Sequence, residues 1–163
     1  MLSHPVTTLN TITLIILRQL RHEKRIHPAI LAQNIGKTLS DLEKIEAGRL
    51  QLSFADFMQI LVALNTAYGP VIESALQHAA LLQRRNWVVL GRVGVIEQDD
   101  LMKSADAFWS SEESTIPKPA GFETVLNTFA LGTNTGMFGP DNLAPVFKYA
   151  LESNPTPQDE FGF

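Results

Sequence analysis

Over residues 17–65 the chain is cut into short apolar-periodic segments by capping residues and glycines. His27-Pro28 opens one segment, since proline suits a first helical position, where its missing N–H costs nothing. Residues 29–34 complete it, and Gly36 ends it with the backbone freedom that a tight turn needs. Thr38 caps the next helix, with Asp41 three residues on as a short capping box. Leu42 and Ile45 face inward there, and Gly48 is the stop. Ser53 with Asp56 repeats the capping pattern ahead of an apolar stripe of Phe54, Phe57, Leu61 and Leu64.

Upstream, Leu9, Ile12, Thr13, Ile16, Leu17 and Leu20 recur at three- and four-residue spacing and predict a first helix over residues 8–23. The β-branched Thr11-Ile12-Thr13 also reads as a strand, but the stripe runs on too far for one. Leu14 lies off the stripe, so something outside a minimal bundle should cover it.

Downstream, Gly69-Pro70 is the expected boundary of this bundle. Residues 71–86 read as an amphipathic helix with Val71, Ile72, Ala75, Leu76, Ala79 and Leu82 on its apolar side. Trp87-Val88-Val89-Leu90, followed by Gly91, either ends that helix or forms a short strand. Residues 101–109 look helical, 110–121 read as a loop, and 122–131 and 142–151 as helices around a turn-rich 132–140. Phe108, Trp109, Phe122, Phe129, Phe138, Phe147 and Tyr149 supply a core for this half. The acidic and aromatic tail, 154–163, is expected to be mobile.

Two short helices joined by a glycine-containing turn inside such a bundle form a helix-turn-helix arrangement. At Leu31-Ala32, Gly36, Thr38, Ile45-Glu46 and Gly48 the spacing resembles the lambda-repressor/Cro-like (XRE) family of transcriptional regulators. Leu20-Arg21 and Ala63-Leu64 extend the ungapped likeness to residues 17–65, about a third of the chain. The resemblance implies a partly buried ion pair between Arg21 and Glu46, with a structural role. It also places Leu39, Ser40, Glu43 and Lys44 of the third helix at base edges. Lys37 and Arg49 would meet phosphates, and His27 would either do so or only cap its helix. Pro28 departs from the family pattern, which has a polar residue there, and Asp41 and Glu43 add negative charge to the reading helix.

Charge divides unevenly along the sequence. The net charge is −4, yet residues 1–65 hold seven basic and five acidic groups, while the remainder holds six basic and twelve acidic. That split permits an anionic partner at one end only. With no cysteine there is no disulfide, thiolate metal site or thiol nucleophile, which fits a reducing cytoplasm. His4, His22, His27 and His78 show no metal-ligand spacing, and no serine–lysine pairing stands in a nucleophile context. No secretion signal is visible, and no run approaches the roughly 20 apolar residues of a membrane span.

The expected fold is mainly α: a lambda-repressor-like helical bundle with a helix-turn-helix over 1–68, then a mostly helical dimerisation or partner region over 69–153. The expected function is that of a cytoplasmic homodimeric repressor, neither an enzyme nor cofactor-dependent, reading a palindromic operator in double-stranded DNA. The alternative is an interaction module of the same fold, an anti-regulator or antitoxin, with weak or no DNA binding.

Overall fold

The computed structural model describes residues 3–111, 125–126 and 143–155. Among these the chain is mainly helical. Strand β1 (Val6–Thr8) runs into α1 (Leu9–Glu23), followed by α2 (Pro28–Asn34), α3 (Leu39–Glu46), α4 (Phe54–Ala63) and α5 (Tyr68–Arg84). Strand β2 (Val88–Leu90) and a 3-10 turn (Ile96–Gln98) then lead to α6 (Asp100–Trp109), and Pro145–Ser153 forms α7. No described helix is long and apolar enough to cross a membrane.

Helix α1 is central. Thr8 caps it by accepting the Thr11 N–H at 3.0 Å, and eight of its residues from Ile12 to Arg21, together with Thr11, are buried. The single stripe read from the sequence accounts for one side of it. Around the whole helix the cover comes from α3, α5, α6 and β1. Leu14, off the stripe, packs with Ile45 of α3 and Met102 of α6, so part of its cover comes from the distal half. Leu9, at the helix start, is exposed instead.

Helices α1 to α5 all end the same way. In each, the residue after the cap takes positive φ: Arg25, Gly36, Gly48, Asn65 and Asn86. The next amide then reaches back five residues, as from Ile26 to Arg21 O, Lys37 to Ala32 O, and Arg49 to Lys44 O. This is the Schellman arrangement, which gives the last carbonyls of a helix their partners. It explains why the helices stop where they do and why the turns between them are short.

Three expectations need correction. Gly69-Pro70 is not a break in the packing: both residues sit in the first turn of α5, where proline needs no amide partner. One apolar core runs across them, from Ile12 through Leu64 and Val71 to Phe147. Phe54, placed on the inward stripe, is 70% exposed, because it is the first residue of α4 and Phe57, Ile60 and Leu61 take the inner face. Leu76 is likewise 55% exposed, while Ser74 and His78 occupy the buried side of α5.

Trp87-Val88-Val89-Leu90 resolves as a strand. β2 pairs with β1 in parallel, with Val6 opposite Val88 and Thr8 opposite Leu90. The strand β1 itself was not expected. Its other edge is held by two acids at the start of α6. The Val6 amide donates to Asp100 Oδ2 at 2.7 Å, and the Thr7 and Thr11 hydroxyls donate to Asp99 at 2.9 and 2.6 Å. Asp99 also caps α6 by accepting the Met102 amide. Burial raises its carboxyl above the ordinary range, although those hydrogen bonds pull the other way.

Helix α6 docks on α1 through Trp109. The Arg18 guanidinium lies 4.1 Å from its ring centroid, and the His22 ring stacks on it at 5.6 Å. Helix α7 adds Phe147, which with Phe108 is buried; Trp109 and Tyr149 are half-buried. Phe122, Phe129 and Phe138 lie outside the described residues, as do the loop from 112 to 121, the turn-rich 132–140 and the tail from 156 onward. The first tail residue, Asn154, is tied down, its amide donating to Ser104 Oγ and Ala150 O.

His78 of α5 is wholly buried and stacks on Phe147 at 4.1 Å between centroids. Its Nδ1 lies 2.8 Å from the Ser74 carbonyl, so the proton sits on Nδ1. Burial pushes its pKa down to about 4, against a weaker pull from that bond. The unfolded chain therefore binds the extra proton first as pH falls below 6.5, and stability drops between about 6.5 and 4. The loss should reach about 3 kcal/mol. Asp99, whose carboxyl is raised, works in the opposite sense over the acid part of that range. Urea denaturation of wild type and His78→Leu from pH 7 to pH 4.5 isolates the histidine: the wild type should lose more stability on acidification than the variant.

Candidate nucleic-acid interface

The surface around α3 is built from its ends inward. At the start of α2, His27 Nδ1 accepts the Ala29 amide at 3.0 Å, so this histidine is a cap. Leu31, Ala32 and Ile35 bury α2 against the core, and Gly36, at φ +70°, reverses the chain. Thr38 Oγ1 then accepts the Asp41 amide at 3.1 Å and starts α3. Leu42, Ile45 and Glu46 point inward, which leaves Leu39, Ser40, Glu43 and Lys44 exposed together on the outer face.

What fixes the orientation of α3 is a buried ion pair. Arg21 Nε donates to Glu46 Oε2 at 2.8 Å, and Nη2 donates to Oε1 at 3.1 Å. The side chains are only 6% and 10% exposed. Arg21 Nη1 also donates to the Ile26 carbonyl at 3.1 Å, so one guanidinium joins the end of α1, the turn after it and the end of α3. A two-bond fork of this kind fixes angle as well as distance.

Positive groups flank the outer face at both ends, and both are engaged. Lys37 Nζ lies 3.5 Å from Asp56 Oδ2 of α4. Arg49 Nη1 donates to Glu97 Oε1 at 3.0 Å, and both side chains are more than half exposed. The backbone and the Arg49 bond hold the Glu97 carboxyl below its ordinary value. Lys44 stands exposed beside Glu43. Leu39, Ser40, Glu43 and Lys44 thus share one face of α3, with Lys37 just before its start and Arg49 just after its end, while His27 caps α2.

Two participants were not legible in the sequence. Glu97 and Ile96 belong to the 3-10 turn, which begins fifty positions beyond the end of α3. Ile96 Cδ1 would lie only 2.8 Å from a Cβ on Gly48, so the turn packs directly on the glycine that ends α3. Nothing in the local pattern around residues 91–98 signals that contact. The chain matches no protein-family model, no curated protein and no solved structure.

Removing one partner of the buried pair should be worse than removing both. Arg21→Met should cost about 3–5 kcal/mol, since Glu46 keeps its charge in a site with little water. The double variant Arg21→Met/Glu46→Leu should recover most of that loss, as read by chemical denaturation. A double variant no more stable than Arg21→Met would show that the pair does not carry this energy.

Proposed function

We propose that this protein is a cytoplasmic, sequence-specific DNA-binding regulator, a homodimeric repressor that lays α3 in the major groove of a palindromic operator. The observation that carries this reading is the outer face of α3: Leu39, Ser40, Glu43 and Lys44 are exposed side by side on a helix locked from behind by Arg21 and Glu46. Exposed polar side chains on a fixed helix suit base-edge readout, and Leu39 suits a thymine methyl. Lys37 and Arg49 sit where a flanking backbone would pass, and the Arg49–Glu97 pair is exchangeable for phosphate, since exposed pairs contribute little in water. The likeness of residues 17–65 to the lambda-repressor/Cro-like family supports the same reading. Residues 69–153 would pair two copies, so that two half-sites lie about one helical turn apart. No catalytic role or cofactor is assigned.

A second reading, a protein-interaction module of the anti-regulator or antitoxin kind, is favoured by one specific feature. Phe54, Met58 and Val62 follow one another at four-residue spacing along α4, and Phe54 and Val62 are 70% and 79% exposed. Such a stripe is unusual on a surface meant only for phosphates.

Selection from random duplexes separates the two. Wild-type protein should enrich a two-fold symmetric sequence. Arg49→Ala should weaken every site alike and reduce the slope of log affinity against log salt by about one, while Lys44→Ala should relax base preference. Failure to enrich any sequence, together with no retention on duplex DNA at low salt, would leave the interaction module as the function.

A further inference from the structure

Beside the far end of α3 the described residues enclose an open cleft of about 450 Å³. One wall is the start of α1, with Asn10; a second is the chain leaving α3, with Gly48, Gln51 and Leu52; the third is the segment between β2 and the 3-10 turn, with Arg92. The volume is that of a small-molecule site.

The chemistry of the lining narrows the occupant. Among the described residues that line it, Arg92 is the single charged one. The amides of Asn10 and Gln51 can donate or accept, and both residues are exposed. The Thr8 and Thr11 hydroxyls are already committed to each other and to Asp99, so they add no donor. Leu52 and Ile96 supply apolar surface at the rear. A lining that offers one guanidinium, two amides and apolar side chains suits one carboxylate or phosphate on a small organic body.

The position of the cleft gives that occupant a consequence. Gly48 and Ile96, which touch each other, both line it. Their immediate neighbours, Arg49 and Glu97, form the ion pair at the end of the outer face of α3. A molecule lodged in the cleft would therefore lie against the residues next to both halves of that pair. We propose that this cleft is a regulatory site for a small organic anion, held by Arg92, whose binding alters the pairing of Arg49 with Glu97. The binding step stands on the cleft alone; its effect on operator binding rests on the DNA-binding function.

The test uses the full chain, labelled with nitrogen-15, and three probes: phenyl phosphate, benzoate and the neutral benzyl alcohol. One or both anions should produce saturable amide shifts at Gly48, Gly91 and Gly94, and the comparison between them decides between phosphate and carboxylate. Benzyl alcohol should not. Arg92→Gln should weaken the anion tenfold or more while its spectrum elsewhere superimposes on that of wild type; Arg92→Lys should fall between the two. The site is overturned if neither anion gives saturable shifts, if Arg92→Gln binds equally, or if the shifts map to Lys37 and Lys44 instead. Where duplex retention has been established, the bound anion should change it in wild type and not in Arg92→Gln. Binding without that change would overturn the regulatory part and leave the site standing; absence of duplex retention would overturn the DNA-binding function without touching the shifts.

Discussion

Nearly everything in this structure follows from the burial of α1 on both sides. A helix whose residues from Ile12 to Arg21 are almost all removed from water cannot belong to a bundle that covers one stripe. Each fully buried leucine or isoleucine contributes about 1.5–3 kcal/mol only if something covers it. α3, α5, α6 and β1 together supply that cover. Leu14 makes the point in one residue: Ile45 comes from the proximal half and Met102 from the distal half, and they meet on it. The distal half is therefore part of what holds the proximal bundle, rather than a module attached to it.

The helices around the candidate site were legible because their signals are local. Thr8, Thr38 and Ser53 each accept the amide three residues on, and a hydroxyl before an apolar stripe announces that role. Gly36 and Gly48 announce the stops. Where the same backbone geometry falls on a residue with no propensity for it, the sequence is silent: Arg25 ends α1 at φ 58°, and no pattern marks an arginine for that position. Gly69-Pro70 misleads for the opposite reason. The pair that usually breaks a chain here begins a helix, because proline is excluded only from positions whose amide is needed. Phe54 and Leu76 satisfy the helical period yet lie outside the core, since period gives a face and only tertiary packing decides which face is inward. The contacts of β1 and of Asp99, some ninety positions apart, carry no local signature at all.

Electrostatics at the outer face of α3 are arranged as a set of exchanges. Asp41 lies in the first turn of α3, where a carboxylate is favourable to the helix dipole. Lys37 and Arg49 are neutralised within the protein by Asp56 and Glu97. The pairs differ in setting: Asp56 is largely shielded in α4, whereas Arg49 and Glu97 meet in the open. Coulombic attraction between exposed groups is mostly offset by their hydration and by salt, so the Arg49 pair is the easier to open. A polyanion arriving at this face would displace Glu97 before Asp56.

Gly48 is where the local and the distant arguments meet. Its positive φ suffices to explain a glycine at the end of α3, and from the sequence nothing more would be asked of it. Gly36, with the same backbone, faces open space. Gly48 does not: Ile96 occupies the place next to its missing Cβ, and Met102, which also covers Leu14, lies just beyond. An alanine at 48 would thus carry two costs where one at 36 carries only the backbone strain. The second cost is the distal half pressing on the end of α3. A residue that looks like punctuation is also the contact through which the 3-10 turn and α6 reach the end of α3.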